Sequence, residues 1–112
     1  MILPKIYDFI DNKYHPIIRY LFVLPSNDFI SFLESIKNRL GVSRELHGYE
    51  FIENDLIEFW DDSSGEEKCI EISIIEFINL LEPLKQLYLS IDIDNEESIV
   101  NLFQELENQY SI

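Results

Sequence analysis

A turn sequence between two apolar runs, followed at once by a helix-capping pattern, constrains the fold of this chain more than any other feature. Residues 56–60 are rich in β-forming side chains, and residues 61–65 (Asp-Asp-Ser-Ser-Gly) are typical of a turn. Residues 67–72 alternate in polarity, and Ser73 then precedes Glu76 at the spacing of a reciprocal capping box. The stretch therefore predicts a β-hairpin that leads directly into a helix at Ser73.

The alternation of apolar and polar side chains also predicts the register of this hairpin. A four-residue loop over residues 62–65 would place Ile57 opposite Ile70 and Phe59 opposite Lys68, so that one face is apolar. The other face then carries one large aromatic side chain among carboxylates, and Trp is a frequent anchor of protein interfaces. We predict that this outward face and the tip of the hairpin bind a partner through Glu58, Trp60, Asp61, Asp62, Glu67 and Glu71. Trp60 has a second interpretation, as a core residue beneath a flanking helix.

Acidic side chains are concentrated in the C-terminal two-thirds of the chain. The 112 residues contain 22 Asp and Glu against 8 Lys and Arg, which gives a net charge of −14. Residues 1–44 carry a net charge of +2, whereas residues 45–112 carry −16. A field of this sign favours solubility, repels phosphate and speeds the encounter with a basic surface. We therefore expect a cationic protein partner and no nucleic acid.

Two helices are predicted before the hairpin. Pro16 suits the first turn of a helix over residues 17–24, although that dense β-branched and aromatic run alone would also suit a strand. Residues 26–28 can cap a second helix, and Gly41 is placed to end it. Its predicted inward residues are Phe29, Leu33, Ile36 and Leu40.

Two further helices are predicted after the hairpin. Pro83 pushes the preceding residue out of the helical region, so the helix that begins at Ser73 should kink or break near Glu82. Residues 90–94 alternate and suit a short strand or a loop, and Asn95 can cap a final helix. The predicted inward residues of that helix are Ile99, Leu102, Phe103 and Leu106.

These elements amount to one domain. Residues 49–53 suit a first strand and residues 54–55 a turn, which together with the hairpin gives a three-stranded antiparallel meander. We predict a single α+β domain over residues 1–112, with helices packed on this small meander. Residues 1–14 suit either a loosely packed arm or a short helix with three apolar residues inward, namely Ile6, Phe9 and Ile10.

Catalytic and metal-binding patterns are missing from the sequence. His15 and His47 stand in separate segments without a partner at a recognisable spacing, and Cys69 suits a small, half-buried filler beside acidic neighbours. The acidic run that begins at Asp92 lacks the Gly and Glu that a calcium loop needs. We therefore expect no catalysis, no metal or other cofactor and no small-molecule substrate.

The short apolar runs and the single cysteine indicate in which cellular compartment the protein is found. The longest apolar run, residues 17–24, contains Arg19 and is too short to span a bilayer. One cysteine cannot form an intramolecular disulfide, and the N-terminus lacks a signal-peptide pattern. We expect a cytoplasmic protein without a membrane partner.

The order and spacing of several apolar pairs, together with the capping box, resemble the pattern of one protein family. The set comprises Pro16-Ile17-Ile18-x-Tyr20, Asp28-Phe29, Phe32-Leu33, Ile57-x-Phe59, Asp61-Asp62, Ile70-x-Ile72-Ser73-x-x-Glu76-Phe77, Leu80-Leu81 and Tyr88-Leu89. Over roughly residues 15–110, this pattern is similar to that of the ribonuclease-toxin immunity proteins of bacterial contact-dependent growth inhibition systems (the CdiI type). The resemblance implies a small cytosolic protein that binds and blocks one toxin domain.

Charge and resemblance lead to the same expectation. A nuclease must attract phosphate, so its active cleft is basic, and an inhibitor that presents carboxylates there would mimic the substrate. We expect an immunity protein that neutralises a cognate basic toxin domain, a ribonuclease, by stoichiometric binding. The alternative is an acidic adaptor or regulatory protein that binds another basic protein.

Overall fold

The centre of the fold is an antiparallel sheet. The computed structural model describes residues 3–53, 55–91 and 95–110, without the side chains of residues 90 and 91. In these residues four strands pair in chain order: β1 (Val42–Ser43), β2 (His47–Ile52), β3 (Leu56–Asp61) and β4 (Lys68–Ser73). The predicted α+β class is confirmed, but the sheet has four strands instead of three. The reason is that the connector after the second helix pairs with β2, with Val42 opposite Tyr49.

Helices precede and follow the sheet. The α-helices within the described residues are α1 (His15–Val23), α2 (Phe29–Lys37), α3 (Ile74–Leu80), α4 (Glu82–Ile91) and α5 (Glu96–Gln109). The helical interpretation of residues 17–24 is confirmed, and so is the break before Pro83. Residues 90 and 91 complete α4, and the rest of the predicted strand or loop, residues 92–94, lies outside the described residues.

The N-terminal segment folds as two short 3-10 helices, Lys5–Phe9 and Asn12–Tyr14. Tyr7 is buried, and its hydroxyl donates a hydrogen bond to the carbonyl of Leu80 at the end of α3. The predicted inward side of this segment is wrong, because Phe9 is 88% exposed. Tyr7 takes the inward position because its hydroxyl can donate a hydrogen bond to a carbonyl at the end of a helix, which has no partner within the helix.

The end of α2 also differs from the prediction. The helix stops at Lys37, and Arg39 adopts the left-handed conformation, with φ of 55°, that was expected from Gly41. The N–H of Leu40 donates to the carbonyl of Ser35 at 2.9 Å, which closes a Schellman motif. Leu40 therefore points to solvent and is 58% exposed.

The capping pattern at Ser73 is confirmed in part. Ser73 is the N-cap of α3, and its hydroxyl accepts a hydrogen bond from the Glu76 N–H at 3.1 Å. The Glu76 carboxylate does not return to Ser73 but accepts a hydrogen bond from the Tyr14 hydroxyl. The cap thus ties the N-terminal segment to the junction between sheet and helix.

The core lies between the sheet and the first three helices. Tyr49 and Phe59 project from the inner face of the sheet, where their rings meet Tyr20 of α1, Phe32 of α2 and Phe77 of α3 at centroid distances of 5.0–5.7 Å. Helix α5 packs against α2 and α4, and its predicted inward residues are all buried. Because the helices cover one face of the sheet, the opposite face is left for other contacts. None of the helices in the described residues is long and apolar enough to cross a membrane.

Candidate partner-binding surface

The hairpin that carries the predicted site has a different register from the one expected. Asp61 lies opposite Lys68, Phe59 opposite Ile70 and Ile57 opposite Ile72, so the loop spans six residues, 62–67, instead of four. The predicted residue pairs are therefore wrong by two positions. A slip of two residues leaves every side chain on its own face. The predicted division into an apolar and an acidic face consequently holds in the structure.

The outer face of β2, β3 and β4 carries a row of carboxylates. Glu50 lies directly opposite Glu58, and Glu58 lies directly opposite Glu71. Adjacent strands are about 4.8 Å apart, so three carboxylates follow one another across the sheet over about 10 Å. We call the surface around this row the acidic sheet face, and it consists of Glu50, Leu56, Glu58, Trp60, Cys69 and Glu71.

The central carboxylate of the row, that of Glu58, lies in surroundings that disfavour its charged form. Partial burial raises the pKa of Glu58 above its ordinary value, and the charges of Glu50, Glu71 and Glu67 raise it further. Among the described residues, no Lys, Arg or His nitrogen lies within 4.0 Å of these carboxylates. Like charges directly opposite one another on a sheet are destabilising. The folded chain therefore maintains an unfavourable arrangement that its own cations do not relieve.

Trp60 lies beside this row on the outer face. It is half-buried and stands directly opposite Gly48 on β2. A Cβ on Gly48 would come within 2.4 Å of Trp60 Cζ2 and 2.7 Å of Cη2, so the indole occupies the space above the glycine. The interpretation of Trp60 as a residue beneath a helix does not fit this position. That place belongs to Phe59, which is fully buried on the inner face.

Asp61 was predicted at the exposed tip, and this placement is wrong. Its side chain is 1% exposed and points to the inner face at the end of β3. One carboxylate oxygen accepts a hydrogen bond from the Ser63 N–H at 3.0 Å, and the other lies 3.2 Å from His15 Nε2. Burial alone would raise the pKa of Asp61, but the Ser63 hydrogen bonds and the His15 charge outweigh it and hold the pKa below its usual value. Asp61 thus fixes the hairpin to α1.

The remaining predicted residues divide between structure and surface. The Asp62 N–H donates to the Leu46 carbonyl at 2.7 Å, and one Asp62 carboxylate oxygen is buried without a hydrogen-bond partner. Glu67 is exposed in the loop, close enough to Glu58 to raise its pKa. Cys69 is exposed on the outer face, so its prediction as a half-buried filler is wrong.

Sequence reasoning missed Glu50 in the row and Gly48 beside it. Both belong to β2, whose predicted start at Tyr49 left out Gly48. The predicted meander joined this strand to β3 without a register, and the observed register, with Ile52 opposite Leu56, places Glu50 on the same face as Glu58. A glycine in a strand often marks a close approach by another group, and here that group is Trp60.

Metal and acid–base chemistry find little support in the geometry. His47 lies opposite the buried Asp61, and burial lowers its pKa, with Arg44 and Arg19 acting in the same direction and Asp61 against them. In the part of the chain that the structure describes, no three His, Cys, Asp or Glu side chains form a group suited to a metal ion.

Comparison with protein families, with curated proteins and with solved structures finds no match to this chain. The acidic sheet face is therefore the feature from which a function can be inferred.

Proposed function

We propose that this chain is an immunity protein of the contact-dependent inhibition type, which neutralises a basic ribonuclease toxin domain by binding it through the acidic sheet face. The observation that supports this proposal most directly is the unpaired row formed by Glu50, Glu58 and Glu71. The row lies on a face that the helices leave uncovered and stands beside a half-buried tryptophan.

The row favours a cationic partner on energetic grounds. Three carboxylates in register repel one another in the free protein, and that repulsion adds to partial burial in raising the pKa of Glu58. Lysine or arginine side chains of a partner would convert the repulsion into attraction on binding. A partner without such cations would leave the carboxylates unpaired and partly desolvated, so the same arrangement also discriminates against wrong partners.

A nuclease is the basic partner that this geometry suits best. Its cleft must hold a phosphate backbone, which requires clustered Lys and Arg side chains. A linear row of three negative charges can occupy such a cleft in place of the nucleic acid. Trp60 lies at the side of the row and adds an aromatic anchor to the contacts made by the carboxylates. The long-range field of a chain with net charge −14 would also speed the encounter.

In this proposal the chain acts by occupying a surface and not by chemistry. It needs no cofactor and no catalytic group of its own, and it works in the cytoplasm, where a ribonuclease toxin would meet its RNA. The product of an adjacent toxin reading frame is the natural candidate partner.

The test is inhibition of RNA cleavage by the purified product of that reading frame. Cleavage should fall linearly with added chain and reach zero at one equivalent. The variant Glu50→Gln/Glu58→Gln/Glu71→Gln should inhibit at least tenfold more weakly, since each lost charge-assisted contact is worth about 1.5 kcal/mol or more.

A matched control separates the row from the overall charge. The variant Glu34→Gln/Glu66→Gln/Glu107→Gln has the same net charge as the first triple variant but keeps the acidic sheet face intact. It should inhibit cleavage as strongly as the natural chain does. Tight binding without loss of cleavage would assign the chain to the acidic adaptors instead. Absence of binding would remove the proposal.

A further inference from the structure

A groove lies between the helices and the β1 edge of the sheet, and none of the residues of the acidic sheet face lines it. It consists of two cavities of about 240 and 290 Å³ whose linings share Tyr20, Leu24, Asp28 and Arg44. Helix α1 and helix α2 form one side, and β1 with the start of β2 forms the other. We call it the helix–sheet groove.

A buried hydroxyl without a hydrogen-bond partner lines this groove. Tyr49 is 1% exposed, and its hydroxyl has no partner within hydrogen-bond distance. Burial raises the pKa of the Tyr49 hydroxyl and the Ser35 side chain lowers it, but the Ser35 hydroxyl itself donates to the Ser31 carbonyl at 3.0 Å. The three groups that influence the Tyr49 phenol electrostatically, namely Tyr20, Ser35 and Arg44, all line the same cavity. The hydroxyl therefore lies at the floor of the groove, and buried polar groups without partners are rare in native proteins.

Two opposite charges line the groove without neutralising each other. Arg44 and Asp28 take part in both cavities, yet their charged atoms are more than 4.0 Å apart. Both act on Tyr20: burial raises the pKa of its hydroxyl, Arg44 lowers it and Asp28 raises it. Within the described residues the guanidinium of Arg44 has no carboxylate within that distance, although the chain carries 22 acidic side chains. Arg44 also acts on the Tyr20 hydroxyl through a side-chain hydrogen bond, but an arginine without a carboxylate partner in such an acidic chain is available to the carboxylate of a ligand.

We propose that the helix–sheet groove binds a small zwitterion of the amino-acid type with an apolar side chain. The ligand carboxylate accepts hydrogen bonds from Arg44 and from the Tyr49 hydroxyl, which matches the forked geometry of a guanidinium. The ligand ammonium group lies against Asp28. The apolar side chain packs against Leu24 and its neighbours in the lining.

The class of ligand follows from charge and size. A simple anion would meet both Asp28 and the field of a chain with net charge −14, whereas a zwitterion has no net charge and is not repelled at long range. Cavities of 240 and 290 Å³ suit a molecule of amino-acid size. This inference is independent of the toxin partner, and it adds a small-molecule site that the sequence pattern did not predict.

The experiment titrates the full chain with leucine and valine and follows the backbone amide signals by two-dimensional NMR. Two fragments of leucine serve as probes of each charge: 4-methylpentanoate lacks the ammonium group, and 3-methylbutylamine lacks the carboxylate. Saturable shifts should cluster at residues 20–28 and 42–49. Leucine or valine should bind about tenfold more tightly than either fragment, since each charged hydrogen bond is worth at least about 1.5 kcal/mol.

Three conservative variants assign the contacts. Arg44→Gln should weaken the binding of leucine and 4-methylpentanoate about tenfold and should strengthen that of 3-methylbutylamine, because it removes a charge that repels the ammonium group. Asp28→Asn should weaken leucine but strengthen 4-methylpentanoate, because it removes a repelling charge. Tyr49→Phe should weaken the binding of leucine and of 4-methylpentanoate. The melting temperature of the protein should stay the same or rise, because the Tyr49 hydroxyl has no hydrogen-bond partner in the protein to lose.

The proposal is overturned if neither leucine nor valine gives saturable shifts at millimolar concentration. It is also overturned if both amino acids bind no better than the two fragments, or if Arg44→Gln leaves their affinity unchanged. Shifts that saturate elsewhere on the molecule have the same consequence.

Discussion

The indole ring of Trp60 occupies the space that Gly48 leaves by having no side chain. The two residues are direct neighbours across β2 and β3, and a Cβ on Gly48 would lie 2.4 Å from the ring. The glycine therefore lets the ring lie close to the sheet at the edge of the carboxylate row. A ring held in this way loses little freedom on binding, which favours its use as an anchor.

Gly48→Ala should destabilise the domain. The new Cβ would meet the Val42 carbonyl oxygen at 2.3 Å as well as the indole, and a backbone atom cannot move aside cheaply. The free energy of unfolding in urea should fall by about 1–3 kcal/mol, as for other overpacked sites. In a Trp60→Ala background the cost should fall only in part, because the Val42 clash remains. A fully neutral Gly48→Ala would contradict the close approach.

Trp60→Ala and Phe59→Ala should separate binding from stability at neighbouring positions. Trp60 is half-buried on the outer face, so its loss should weaken toxin binding by at least about 2 kcal/mol and cost little stability. Phe59 is fully buried, so its loss should lower the free energy of unfolding by about 3–5 kcal/mol. Calorimetric titration and urea unfolding measure the two quantities. A severely destabilised Trp60→Ala that still binds would make Trp60 a structural residue.

Glu58→Gln should stabilise the free protein and weaken its binding. The pKa of Glu58 is raised, so the ionised group is less favourable in the folded chain than in the unfolded chain. At pH 7 the amide should increase the free energy of unfolding by about 0.2–1 kcal/mol, the usual scale of a like-charge pair on a sheet. The gain should decline as the pH falls through the raised pKa and vanish well below about 4.3, the ordinary pKa of Glu, because the group is then protonated in both states.

Glu66→Gln is the control for that experiment, because Glu66 is exposed in the hairpin loop and lies outside the row. It changes the net charge by the same amount and should leave both stability and binding near their natural values. If Glu58→Gln lowered the stability at pH 7, the repulsion within the row would be excluded as its dominant interaction.

Ser73→Ala should lower the free energy of unfolding by about 1 kcal/mol, because the Glu76 N–H loses its acceptor at the start of α3. Toxin binding should stay near normal at temperatures where the domain is folded. Ser98→Ala, at an exposed position in the first turn of α5, should change stability by much less. Equal stability of Ser73→Ala and the natural chain would show that the cap contributes nothing.

Periodicity predicted which side chains share a face but not how the strands pair. The alternation over residues 56–60 and 67–72 assigns Glu58, Trp60 and Glu71 to one face in any register that slips by an even number of residues. The length of the loop was not determined, because polar residues at a strand end resemble the start of a turn. Asp61 was misplaced for this reason.

Other differences arise from contacts between residues far apart in sequence. Asp61 is buried because His15, from the first helix, supplies its partner. Glu76 leaves its capping box because Tyr14 donates to it, and Tyr7 turns inward toward Leu80. The carboxylate row depends on the register of β2 with β3, in which Ile52 lies opposite Leu56, and the predicted meander did not specify that register. Contacts between distant segments set the positions of Asp61, Glu76 and Tyr7, whereas local spacing sets the helices.

The most direct measurement of the proposed function is the rate of association with the toxin domain as a function of salt. Stopped-flow mixing of the natural chain should give a rate constant that falls steeply between low and physiological salt, while dissociation changes little. The variant Glu50→Gln/Glu58→Gln/Glu71→Gln should associate more slowly at low salt and lose most of that dependence, whereas Glu34→Gln/Glu66→Gln/Glu107→Gln should retain it. An association rate insensitive to salt, or equal salt dependence in the two variants, would contradict recognition of a basic toxin by the acidic sheet face.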